Sequence, residues 1–171
     1  LDDKASMGGL LSNLGVVAEY RGDFDGSRRF HERALGLRIE IGDRWAIAVS
    51  ENNLGMIAVL QKRFEEGRDR FGRTMLLGRE VGDPWMVALV HNNLGNATRG
   101  LGDYEAARKH YADSLRACRD NGDKWALAFL LEDIPRSLSV TSDLPVGPGG
   151  SVARTDAGGG SVALGGRSDP V

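Results

Sequence analysis

Asp43-Arg44-Trp45-Ala46 opens a stretch that closes on Asn53-Leu54-Gly55, and both spellings return at a fixed distance along the chain. Asn-Leu-Gly stands at 13–15, 53–55 and 93–95, a step of 40 residues. Gly42-Asp43-Arg44-Trp45 returns as Gly82-Asp83-Pro84-Trp85 and Gly122-Asp123-Lys124-Trp125. Arg28, Arg68 and Arg108 keep the step, as do Ala48, Ala88 and Ala128, and Phe24, Phe64 and Tyr104 hold a ring at one place in each copy. A period of this length marks stacked supersecondary units, each of which needs its neighbour to bury its apolar face.

Within a copy the apolar residues step by three, four and seven: Leu54, Ile57 and Ala58 on one element, Phe64, Phe71 and Met75 on the next. That is helical spacing, so each copy is a pair of helices. Short polar breaks, Arg21-Gly22-Asp23, Gln61-Lys62-Arg63 and Leu101-Gly102-Asp103, have the length that joins antiparallel neighbours. Between copies, Gly42, Gly82 and Gly122 close one helix in the left-handed conformation, and Asp43, Asp83 and Asp123 cap the next. Pro84 suits the first helical position. The pattern predicts helices over 4–21, 24–41, 44–61, 64–81, 84–101, 104–121 and 124–134, with no strand among them.

Gly in a helix interior costs roughly 0.5–1 kcal/mol relative to Ala. Gly15, Gly55 and Gly95 therefore need a packing reason, and Ser27, Gly67 and Ala107, twelve residues on in each copy, supply one: two backbones nearly in contact.

These residues resemble the tetratricopeptide repeats. Leu14-Gly15, Ser27, His31 and Ala34 fall on that family's Leu-Gly, small, aromatic and Ala positions, followed by Leu54-Gly55, Gly67, Phe71, Thr74 and then Leu94-Gly95, Ala107, Tyr111, Ser114. His31 departs from the aromatic. The long period resembles the branch seen in kinesin light chains, spindle-orientation scaffolds and bacterial signalling ATPases. The resemblance implies an all-α, right-handed α-solenoid of three helix hairpins plus a capping helix, with repeats at about 3–42, 43–82 and 83–122, a cap at 123–134, and an array ending near 139.

Residues 140–171 read as a disordered Gly/Pro-rich tail. From Leu144 onward there are eight glycines, three prolines and no aromatic residue, too little to offset the entropy of ordering. At the other end Leu1 to Lys4 align with Ile41 to Arg44, so the chain opens at a repeat boundary, as expected of a piece of a longer array. An uncovered end exposes apolar surface, and end-to-end association is one expected consequence.

A net charge of −2 gives no electrostatic reason to bind nucleic acid or an anionic membrane. No apolar run is long enough to span a bilayer. Cys118, the one cysteine, cannot form an internal disulfide, which makes the cytoplasm the expected compartment. His31, His91 and His110 occupy unrelated places in their copies, so no convergence is expected of them, and no metal, cofactor or catalytic group is expected. Trp45, Trp85 and Trp125 read as rings buried against the preceding hairpin, and Arg28, Arg68 and Arg108 as partners of nearby carboxylates such as Glu32, Asp69 and Glu105.

The asparagines are the informative polar residues. The resemblance implies that first helices line a concave groove, and that an Asn at the place of Asn13, Asn53 and Asn93 contacts bound peptides. Asn52 and Met56 share that face in the second copy, and Asn92, Asn96 and Arg99 in the third. The amides either bond an extended peptide or bond between neighbouring helices, and the roles are compatible. The expected function is a non-catalytic module that binds a protein, peptide or helix. The Asn-Leu-Gly and Gly-Asp-x-Trp-Ala spellings resemble the carboxy-terminal arrays of large bacterial ATP-binding transcriptional regulators. The alternative is a module that senses a small molecule or signalling peptide.

Overall fold

The computed structural model describes residues 2–122, Lys124 and the two short segments Ala153–Arg154 and Val162–Ala163. Six helices follow one another: α1 Asp2–Tyr20, α2 Phe24–Ile41, α3 Arg44–Leu60, α4 Phe64–Glu80, α5 Pro84–Gly100 and α6 Tyr104–Asp120. Each starts and stops within two residues of the position set by the repeat. No strand lies among residues 2–122. The predicted capping helix at 123–134 falls outside the described residues, as does most of the tail. In the tail, β1 (Ala153–Arg154) and β2 (Val162–Ala163) pair antiparallel, with Ala153 opposite Ala163.

The linkers work by the chemistry read from sequence. Asp43 and Asp83 accept the backbone N–H of Ala46 and Met86 at 2.9 and 3.0 Å, and Asp23 and Asp103 cap α2 and α6 in the same way. Gly42 closes α2 at φ 74°, the left-handed region that only a residue without Cβ enters freely. One turn breaks the pattern. Lys62 holds φ 60° where the other copies place Gly22 and Gly102, and Arg63 makes no side-chain cap for α4.

Consecutive helices pack in order, and α3 also touches α5. The second helices reach each other through a long ion pair, Arg28 to Glu66 at 3.1 Å. First helices thus form the tighter, inner row and second helices the outer one. The main core runs through α3, α4 and α5, from Val49, Met56 and Phe71 to Met86, Val90 and Leu94. At the α1 end, Leu10, Leu14 and Val17 are 65, 48 and 47% exposed, whereas Leu54 and Ile57 at the matching places in α3 are 2 and 0% exposed. The hairpin of α1 and α2 packs before α3 and covers its apolar side.

Inside each hairpin a ring lies on a helical glycine. A Cβ added at Gly55 would stand 2.6 Å from Phe71 Cε1, one at Gly95 2.4 Å from Tyr111 Cε1, and one at Gly15 2.6 Å from His31 Nε2. The close approach expected at Gly67 is also present, since a Cβ there would meet the Gly55 carbonyl oxygen at 3.2 Å. The ring contact is the tighter of the two.

His31 fills an aromatic slot with a polar ring. It is fully buried, and neither ring nitrogen has a hydrogen-bond partner. Burial, with a smaller push from the Arg38 charge, brings its pKa down to about 4. The unfolded chain takes up this proton near pH 6.5 and the folded chain only near 4, so the neutral ring's contribution is complete above pH 6.5 and is lost as the pH falls through 4. The loss amounts to about 3 kcal/mol. His31→Phe should raise stability by about 1–2 kcal/mol at neutral pH, because it removes two unpaired polar atoms from the core. Its advantage should widen on acidification, and melting curves of both chains between about pH 7 and 4.5 check this; a constant gap would show that His31 is not buried neutral.

Candidate functional site

The candidate site is the inner face of the first helices α1, α3 and α5, of which α3 and α5 touch directly. Helical geometry sets which residues face inward: positions 12, 52 and 92, and one turn on, 16, 56 and 96. The structure brings most of the predicted residues together, but as a packed layer. Asn52 and Asn53 are 2 and 1% exposed, Met56 6%, Asn92 and Asn93 3 and 4%, and Asn96 9%. Asn13 and Arg99 are half-buried.

Two bonds organise the layer. Asn93 Nδ2 donates to Asn52 Oδ1 at 2.8 Å, joining α5 to α3 across the repeat boundary. Tyr111 donates its hydroxyl to Asn96 Oδ1 at 2.8 Å, fixing the ring that covers Gly95. Here the amides bond between helices. What remains is a short set of buried polar atoms without a partner: Ser12 Oγ, Asn52 Nδ2 and Arg99 Nε. Ser12 and Asn52 hold the same register on adjacent first helices.

Other polar residues are explained by packing. Arg38 is buried and donates to Ser50 Oγ at 2.6 Å and to the Ala46 carbonyl at 3.2 Å, tying α2 to α3. Arg28 pairs with Glu32 at 2.9 Å as well as with Glu66, and Arg68 sits 3.5 Å from Asp69, so these two arginines meet carboxylates as expected, whereas among the described residues no ion pair joins Arg108 to Glu105. Trp45 packs on the core and donates its indole N–H to Asp83 at 2.8 Å, which couples its hairpin forward to the next linker. The expectation of burial against the preceding hairpin left out that bond. Trp125 lies outside the described residues.

One expectation is corrected. His91 and His110 do converge, with their Nδ1 atoms 3.4 Å apart between α5 and α6. Sequence reading compared positions within copies and missed that residues 19 apart face each other across a hairpin. Glu51 and Arg70 obey the same rule at 2.9 Å, and Arg73 adds a second contact to that buried carboxylate at 3.2 Å. Among the described residues no group of three or more His, Cys, Asp or Glu is placed to hold a metal. No described helix is long and apolar enough to cross a membrane. A depression lined by Gly78, Pro84, Val87, Ala117 and Asn121 shares no residue with the amide layer.

Two tetratricopeptide-repeat family models match, one over residues 9–41 and one over 46–120, together more than half of the chain. The chain belongs to the tetratricopeptide-repeat family. No match is found among curated proteins. Among solved structures, the N-terminal domain of stress-induced protein-1 (STI-1) from C. elegans is similar at 21% identity and TM-score 0.58, over 75% of this chain and 95% of that one. The apo form of RapI gives 15% and 0.66 over 78% of this chain, and BtubC (BKLC) from P. vanneervenii gives 20% and 0.59 over 76%. The chain spans only 39 and 62% of those two proteins. At these identities the likeness is one of fold, the helical-repeat solenoid.

The bond between Asn52 and Asn93 has a measurable signature. Asn93→Ala should cost about 1–3 kcal/mol, because it leaves Asn52 Oδ1 buried and unpaired. Asn52→Ala together with Asn93→Ala should cost less than the sum of the single changes, by about 0.5–1.5 kcal/mol, in a denaturant-unfolding double-mutant cycle. Strict additivity would mean that the two amides do not bond.

Proposed function

We propose that the chain is a non-catalytic protein-interaction module that takes a peptide or helix along its inner row of first helices. Membership of the tetratricopeptide-repeat family supports the general reading, since such arrays serve as protein-interaction scaffolds. The observation that carries the finer one is the pair of unpartnered buried atoms, Ser12 Oγ and Asn52 Nδ2, repeated at one register on successive first helices. A row of unmet hydrogen-bonding groups at helix-to-helix spacing suits an extended backbone, which offers a donor and an acceptor at every residue. Both side chains are 2% exposed, so a bound backbone reaches them only by displacing part of the packed layer. Asn13, Asn53, Asn93 and Arg99 flank that row, and Arg99 biases it towards an acidic segment.

We place this module in the cytoplasm, as part of a bacterial signalling or transcriptional regulator. The recurring Asn-Leu-Gly and Gly-Asp-x-Trp spellings support that origin. The exposed apolar stripe Leu10, Leu14 and Val17 on α1 adds a second surface suited to packing against protein. A module that senses a small ligand is the alternative, and it requires a pocket within the amide layer.

The test uses peptides selected from a displayed library on the wild-type chain. Asn53→Ala with Asn93→Ala should weaken them about five- to a hundredfold, at about 0.5–1.5 kcal/mol per lost bond, in a variant shown by melting to remain folded. Arg99→Glu should discriminate against acidic peptides more than neutral ones. Arg29→Ala with Lys109→Ala, on exposed positions of the second helices, should leave binding unchanged. Binding lost through the outer pair and kept by folded inner variants would move recognition to the second helices.

A further inference from the structure

The three hairpins differ at one internal register. The residue at 11, 51 or 91 on the first helix corresponds to the one at 30, 70 or 110 on the second. The first copy holds Leu11 and Phe30, two apolar residues, and the second holds the Glu51–Arg70 ion pair at 2.9 Å. The third holds two imidazoles. The Nδ1 atoms of His91 and His110 are 3.4 Å apart, with ring centroids at 5.7 Å and planes tilted by 38°. Two five-membered rings with that nitrogen distance reach that centroid separation only when the nitrogens point straight at each other. That alignment lets one Nδ1–H face the other Nδ1 lone pair when the two rings take opposite tautomers at this nitrogen.

We propose that His91 and His110 form a proton-operated latch, which ties α5 to α6 while at least one of the two Nδ1 atoms is unprotonated and drives them apart when both carry protons. A neutral pair shares one N–H. A singly protonated pair keeps that bond with a charged donor, which strengthens it. A doubly protonated pair has no lone pair left at the contact and sets two like charges head to head. The two groups titrate as a unit, so the release belongs to the second proton.

The surroundings set the range. Burial is the largest influence on both rings and lowers both pKa values below 6.5. Asp113, one turn along α6 from His110, opposes this for both rings, and Asp103 does so for His110. Arg79 on α4 and Lys109 on α6 act with burial, on His91 and His110 respectively. Stability carried by the contact is thus complete above pH 6.5 and is lost as the pH falls through the lowered pKa values of the pair, with the second proton. The second hairpin holds the Glu51–Arg70 ion pair at this register instead of two imidazoles, so it serves as the internal reference for the third.

Amide hydrogen exchange, corrected for the intrinsic effect of pH, reads the latch directly. Between about pH 7.5 and about pH 5.5, exchange over 104–120 should accelerate about tenfold relative to 64–80, the effect of one proton over one pH unit. His91→Glu, His110→Arg and Asp113→Arg together transplant the ion cluster of the second hairpin and should abolish the acceleration. His110→Gln keeps a hydrogen-bonding group without the titration and should do the same if the triple variant folds poorly. An unchanged ratio in the wild-type chain, or an acceleration that persists in either folded variant, overturns the latch.

Discussion

A ring seated on a glycine in the middle of a helix is the contact on which the rest of this molecule depends. Gly15, Gly55 and Gly95 accept His31, Phe71 and Tyr111 so closely that a single methyl group would overlap the ring. The contact fixes how far apart the two helices of a hairpin lie and how one is rotated about the other. Rotation decides which side chains turn inward, and hence which amides meet across the repeat boundary. Each glycine sacrifices some helix propensity, and the fit of a buried ring offsets that loss.

Much of this was legible in the chain. The period, the helix count and the linker caps are local properties, written in Asn-Leu-Gly, in Gly-Asp and in steps of three and four. The ring-on-glycine contact was half legible: small residues twelve apart signalled a close approach, but the sequence named Gly67 as the neighbour where Phe71 is nearer. Lys62 was not legible, because nothing in Gln61-Lys62-Arg63 announces a left-handed residue; only the glycines at the matching turns point to it. The Asn52–Asn93 bond spans two copies and depends on the superhelical rotation, which no window of sequence contains. His91 and His110 became visible only once the hairpin register paired residues 19 apart.

The two rows of helices carry different kinds of polar chemistry. Outer-row partners such as Arg28 with Glu32 and Glu66 are partly solvated ion pairs, each worth little by itself. The inner row uses neutral amides and a tyrosine hydroxyl, buried and short, where an unmet group is costly. Ser12 Oγ and Asn52 Nδ2 stay unmet in this setting, which makes them the costly polar atoms of the layer.

The most direct test of that packing is the sign of two matched substitutions. Gly55 and Gly72 are both interior helical glycines, but a Cβ at Gly55 meets Phe71 at 2.6 Å and one at Gly72 meets nothing within 4 Å. Equilibrium unfolding in denaturant should show Gly55→Ala less stable than wild type by about 1–3 kcal/mol, from overpacking against a buried ring. Gly72→Ala should be more stable by about 0.5–1 kcal/mol, from helix propensity alone. Two changes of the same sign, or a stabilised Gly55→Ala, would contradict the account.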